Sequence, residues 1–200
     1  AIRQGDTVVV IGAGPLGLLL TALARLRDAR VILTGHGEQR LALGRHFGAQ
    51  VVLDVSHLSF QEQREAVCAE TEGGRGADVV IEAVGRPETW TLATQMVRPG
   101  GLVNFFGGCP AGSQVTLDTR SLHYSELTIK GVFHHTPAYF AQALDLITGQ
   151  HIDVEALITA RYPLSAMLDV LHLLLNKQGV KYALIPPAFE TALLAPATRE

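Results

Sequence analysis

Cysteine is almost missing from this chain: Cys68 and Cys109 are the two among 200 residues. Two thiols cannot build a zinc site by themselves, and they fit a reducing compartment, so a cytoplasmic location is expected. Neither H-E-x-x-H nor C-x-x-C occurs, and there is no block of Lys and Arg and no low-complexity tract. A net charge of −3 supplies no field that would gather nucleic acid or anionic lipid, so neither is expected as a partner. What remains is 48% hydrophobic and 18% charged with 20 glycines, a globular composition. Two hundred residues suit one domain, or one domain with an appendage. The chain opens "AIRQGDTVVV", with no Met and a strand almost at once, as a fragment or excised domain would.

Charge is also absent from Val8 to Ala24, "VVVIGAGPLGLLLTALA". Hydropathy alone would make this a membrane span or the core of a signal peptide. A span needs about 20 apolar residues in one helical register, whereas Gly12, Gly14, Pro15 and Gly17 divide this one. Before the division stand four β-branched residues, Val8 to Ile11, the mark of a buried strand. After it come Leu16, Leu18, Leu19, Leu20 and Ala22, good helix formers, with Pro15 suited to a first turn. The glycines obey G-x-G-x-x-G between a strand and a helix, the context in which that pattern points to a dinucleotide. Gly12 permits the tight turn, Gly14 lets a pyrophosphate approach the backbone, and Gly17 lets helix and strand pack closely. The helix N-terminus adds free N–H groups and a positive dipole end. The alternative is a glycine-rich turn with no ligand.

The same alternation continues. Strands are expected at 30–34, 50–54, 77–84, 102–108 and 126–133, with helices between them and at 137–149. A turn is expected at "RPGG". This reads as an α/β fold, a doubly wound six-stranded parallel Rossmann sheet in the order 3-2-1-4-5-6. The dinucleotide-binding domain is expected to span 1–150. Residues 151–187 break the rhythm as a strand-helix-strand extension, and 188–200 read as a loose tail.

Five stretches recur in one order: "GAGPLG" (12–17), "GADVVIEAVG" (76–85), "RPGGLVNFFGG" (98–108), "LTIKGVF" (127–133) and "ITARYPLSAM…GVKYALIP". Together they resemble the cofactor-binding part of the zinc-containing alcohol, polyol and threonine dehydrogenases of the medium-chain dehydrogenase/reductase superfamily. The resemblance runs from Gly5 to about Pro186. It implies a second, catalytic domain that mostly precedes this segment, carries the zinc ligands and receives the 151–187 extension. No G-H-E triplet is present, and neither a catalytic residue nor a metal ligand is assigned within the chain. Alone, this segment should not perform the chemistry. The whole would exchange a hydride between NAD(P) and an alcohol or carbonyl substrate.

The resemblance also distributes the cofactor. Gly12, Gly14, Pro15, Leu16 and Gly17 cradle the pyrophosphate. Gly35 falls where the acid that binds the adenosine ribose usually stands. Gly leaves room for a 2′-phosphate, and His36 and Arg40 can supply positive charge, which favours NADP while leaving NAD open. Val84, Gly85 and Arg86 lie beside the adenine-ribose half. Phe106, Gly107, Gly108, Val132 and Phe133 lie near the nicotinamide, and Lys181 near the phosphates or ribose. Each of these has a plain turn or packing role as its alternative. Family members pair sheets through the sixth strand, so a homodimer or homotetramer is expected.

His134-His135 reads as a solvated or hydrogen-bonded pair before it reads as a metal or catalytic site. Glu82 is expected to find an internal partner, and Cys109 to be an inert thiol. The leucines at 171 and 173–175 are too many for one surface stripe and are expected to pack on two surfaces. Zinc-free quinone reductases of the same superfamily remain a second reading, although "GAGPLG" and "ITARYPL" look more like the zinc branch. A nucleotide-sensing regulatory domain would use the same cradle without turnover. A methyltransferase would show G-x-G-x-G and an acid after the second strand, and neither is present.

Overall fold

Val8, Val9 and Val10 are wholly buried, which is what a β-branched run does when a sheet is covered on both faces. They belong to β1 (Thr7–Ile11) at the centre of a six-stranded parallel sheet. The computed structural model describes residues 1–190. Along the chain β1 is followed by α1 (Pro15–Arg25), β2 (Arg30–Gly35), α2 (Glu38–His46), β3 (Val51–Asp54) and α3 (Phe60–Ala69). Then come β4 (Ala77–Glu82), α4 (Pro87–Met96), β5 (Val97–Phe105), α5 (Thr119–Tyr124), β6 (Thr128–Gly131) and α6 (Pro137–Thr148). The spatial order is β3-β2-β1-β4-β5-β6, as the alternation of strands and helices implied.

The two faces are packed by different helices. Val67 of α3 and Leu92, Ala93 and Met96 of α4 join Val9, Ile32, Val80 and Val103 in one buried cluster. On the opposite face α1 and α2 approach closely through glycines: Gly17 sits beside Val10, and Gly44 beside Leu33. The chain therefore leaves β1 toward one face and β4 toward the other, and these two strands are neighbours. Their carboxyl ends flank the switch point where open α/β sheets bind ligands.

Several boundaries differ from the sequence reading. β4 ends at Glu82 and not at residue 84, because the Glu82 carboxylate takes the N–H groups of Val84 and Gly85 out of the ladder. β5 starts at Val97, before the expected turn at "RPGG". Val97 pairs with Ala77 and Leu102 with Val79, so residues 98–101 form a bulge inside the strand. α5 was not expected; Asp118 caps it by accepting from the Arg120 N–H at 2.9 Å.

At the amino ends of the strands Asp78 accepts from the Thr7 N–H at 2.7 Å and from the Arg98 guanidinium, with Arg75 at 3.9 Å. Burial pulls this carboxyl up, but the bonds from Arg98 and Thr7 and the charges of Arg98 and Arg75 outweigh it and hold the pKa below its ordinary value. A depressed carboxyl contributes stability above its unfolded value, near 3.9, and loses it as pH falls through the folded value. Asp78→Asn should lower stability at pH 7 by about 1 kcal/mol. In urea melts at stepped pH the gap should close below about pH 4; a gap that persists there would contradict the assignment.

A second compact unit begins at Asp153. It holds β7 (Ile158–Pro163), α7 (Met167–Leu175) and β8 (Lys181–Ile185), with β7 and β8 paired in parallel. The Thr159 hydroxyl accepts from the Val180 N–H at 2.8 Å and fixes the approach to β8. Val170 is the buried residue of α7, while Leu171, Leu174 and Leu175 are exposed. The expected tail at 188–200 lies outside the described residues from 191 onward. Among the described residues no helix is long and apolar enough to cross a membrane.

Candidate functional site

Aligned strand ends build the site. Thr34, Ile11, Glu82, Phe105 and Gly131 stand in one row across β2, β1, β4, β5 and β6. The loops that follow them contain nearly every residue that the sequence reading singled out.

The centre of the row is the turn from β1 into α1. Gly12 has φ +111°, a left-handed value that favours glycine, and its N–H donates to the Thr34 carbonyl at 2.9 Å. A Cβ on Gly17 would stand 1.7 Å from the Gly12 carbonyl oxygen, so helix and turn meet there with no room for a side chain. Gly14 is the opposite case. Its backbone is extended (φ −80°, ψ 178°), and a Cβ there would meet nothing within 4 Å. Gly14 thus faces open space over the start of α1. Among the described residues no side chain caps that helix, and no acid lies in its first turn. The N–H groups of Leu16 and Gly17 belong to that turn, which has no preceding carbonyls to bond, and Pro15 has no N–H to offer. An unfilled hollow over uncapped amides at a helix N-terminus suits a phosphate group.

To one side of the cradle lies the end of β2. A Cβ on Gly35 would stand 2.4 Å from the Cβ of Ala13, so an acid at 35 would require the turn to shift. His36 is exposed and Arg40 is partly buried on α2. Asp54, across the ladder from Gly35, is held below the ordinary carboxylate value mainly by hydrogen bonds from the Ser56 hydroxyl and N–H. Cations and acids are therefore mixed at this rim.

On the other side, the loops after β4 and β5 are locked together. The Trp90 indole N–H of α4 donates to the Gly107 carbonyl at 2.9 Å, and its ring lies parallel to Phe105 at 3.9 Å. A Cβ on Gly85 would stand 2.5 Å from the Gly108 carbonyl oxygen, and one on Gly107 would stand 2.4 Å from the Gly85 nitrogen. Beyond them opens a cleft of about 1050 Å³ lined by Trp90, Phe105, Phe106, Gly107, Gly108, Cys109, Val132, Phe133 and His134 among others. Val84, Phe106, Val132 and Phe133 expose apolar surface along this row. Partial desolvation and the charges of Glu82 and Glu88 push the Cys109 thiol up, which leaves it protonated and a weak nucleophile at neutral pH.

His134 has φ +66° and its ring lies 3.8 Å from that of Phe133, while His135 is exposed. Among the described residues no three His, Cys, Asp or Glu side chains are grouped to hold a metal ion. Lys181 opens β8 in the second unit and is exposed within it. Sequence reasoning overlooked Trp90 and Asp54. A tryptophan early in an amphipathic helix carries no signal that its indole bonds a neighbouring loop, and Asp54 is one acid among many until β2 and β3 pair.

Comparison with known proteins agrees with this geometry. The family described as zinc-binding dehydrogenase matches residues 15–149. D-xylulose reductase A from Aspergillus oryzae is 29% identical over 181 residues, which cover 90% of this chain and 50% of that protein. Alcohol dehydrogenase TADH from Thermus sp. ATN1 superposes with a TM-score of 0.84 at 29% identity, covering 92% of this chain and 52% of that one. A putative zinc-binding dehydrogenase from Sinorhizobium meliloti 1021, solved bound to NADP, superposes with a TM-score of 0.79 at 32% identity. That match covers 86% of this chain and 49% of the other. The chain spans about half the length of the relatives it matches.

Proposed function

Because this chain belongs to the zinc-binding dehydrogenase family, we propose that it binds NADP(H), in preference to NAD(H), along its row of strand ends. The observation that carries the reading is the cradle, where Gly14 faces open space above uncapped amides. Leu16 and Gly17 donate their N–H groups to the pyrophosphate. Val84, Gly85 and Arg86 flank the adenosine half. Phe106, Gly107, Gly108, Val132 and Phe133 form the wall for the nicotinamide and exclude water from it. When bound, the cofactor accepts or delivers a hydride.

The substrate we propose for the whole protein is an alcohol or polyol and its carbonyl partner. Zinc, which the family name carries, finds no cluster of ligands among the described residues. Among the described residues β6 ends the sheet with one edge unpaired, and assembly of two copies through that edge is part of the same proposal.

The preference for NADP rests on Gly35, which sets no carboxylate against a 2′-phosphate, and on His36 and Arg40. Separate calorimetric titrations with NADPH and NADH test it. NADPH should bind more tightly, and a combined His36→Gln and Arg40→Ala variant should lose about 10-fold or more for NADPH with little change for NADH. Equal or tighter NADH binding would overturn the preference. Absence of binding by either would overturn the cradle as a working site.

A further inference from the structure

Glu82 is fully buried, and its carboxylate accepts from the short loop after β4 and from the first turn of α4. Oε1 accepts from the Val84 N–H at 2.8 Å, the Gly85 N–H at 3.0 Å and the Thr89 hydroxyl at 2.8 Å. Oε2 lies 3.2 Å from the Gly85 nitrogen. The main-chain oxygen of the same residue accepts from the N–H groups of Phe106 and Gly107, at 3.0 and 2.8 Å. One residue thus holds both loops that form the wall of the cleft. A buried carboxylate is costly unless its oxygens take several donors. An ionised carboxylate accepts at every lone pair, so it can gather several uncharged N–H and O–H groups at one point. An amide in its place would turn an NH₂ group toward the Gly85 N–H or toward Gly107, where Oε2 now packs. A Cβ on Gly107 would stand 2.6 Å from that oxygen.

We infer that Glu82 is a positioning residue for dinucleotide binding, setting the Val84–Gly85 and Phe106–Gly107 walls without touching the ligand. The inference rests on the proposed dinucleotide reading of the cleft. Its charge matters because it orders backbone donors, and the energy appears as ligand affinity in addition to fold stability.

The test is NADPH titration of the full chain followed by Trp90 emission, since the one tryptophan bonds the Gly107 carbonyl inside this wall. Glu82→Gln should bind NADPH about 10-fold more weakly, and Thr89→Val about 3-fold, each with a smaller emission change at saturation. Thr71→Val is the control. Its hydroxyl is a buried hydrogen-bonding group away from the cleft, donating to the Cys68 carbonyl and accepting from the Gly76 N–H. That variant should lower the thermal midpoint while leaving affinity within about 2-fold. Glu82→Gln binding within about 2-fold of wild type, or a loss that Thr71→Val reproduces at equal midpoint, would overturn the role. Should Glu82→Gln fail to fold, the same comparison between Thr89→Val and Thr71→Val decides. A wild-type chain that does not bind NADPH would overturn the cleft reading itself and this role with it.

Discussion

Gly17→Ala is expected to cost the domain about 3 kcal/mol and to lower its thermal midpoint by roughly 10 °C, while abolishing dinucleotide binding. The added Cβ would stand 1.7 Å from the Gly12 carbonyl oxygen, a distance no packing arrangement accommodates. Either α1 lifts from the sheet or the Gly12 turn moves. The first opens the contact between Gly17 and Val10 and strips cover from β1, whose residues are among the most deeply buried in the chain. The second breaks the Gly12 N–H bond to the Thr34 carbonyl and displaces the amides that would face the pyrophosphate. Helix-internal Gly→Ala changes usually stabilise, by about 0.5–1 kcal/mol, so a loss here has the opposite sign to propensity. Thermal melts with and without NADPH read both effects. A midpoint unchanged or raised would show that α1 does not depend on this approach.

Gly14→Val separates ligand from fold. The extended backbone of Gly14 suits a β-branched residue, and a Cβ there meets nothing within 4 Å, so the midpoint should move by no more than a few degrees. The valine side chain would instead occupy the hollow above the Leu16 and Gly17 amides. Hydrogen bonds to a charged group contribute about 1.5–3 kcal/mol each, so losing two should weaken NADPH binding by at least about 100-fold. Calorimetry checks this directly. Retained affinity would mean that the phosphates, if bound at all, lie elsewhere. The contrast between two glycines three residues apart follows from geometry, not from their shared place in one motif.

Much of this was legible in the sequence because its signals were redundant. A β-branched run, three spaced glycines and a leucine-rich helix specify one turn in three independent ways, and the strand order followed from the repeated alternation with right-handed crossovers. Position-dependent features were harder to read. Residues 98–101 carry turn chemistry, and they do form an irregular excursion, but Val97 still pairs with Ala77 before it. α5 is six residues long, below the length at which apolar periodicity is informative. In the site, Gly35 could be read from its register, whereas the Ala13 contact that keeps a side chain away from it exists only after β1 and β2 pair. Trp90 belongs to the same class, an ordinary helix residue until the loops around it close, whereas an internal partner for Glu82 was legible and only the identity of its donors was not.

The most direct test of the cradle is amide mapping by NMR on the 15N-labelled chain during titration with NADPH. The account expects saturable shifts that are largest at Leu16 and Gly17 and extend to Gly35, His36, Val84 and Gly107. Thr7 and the amides around Asp78, at the opposite ends of the strands, should stay in place. Saturable binding with Leu16 and Gly17 unmoved, or no shift at any amide, would contradict it.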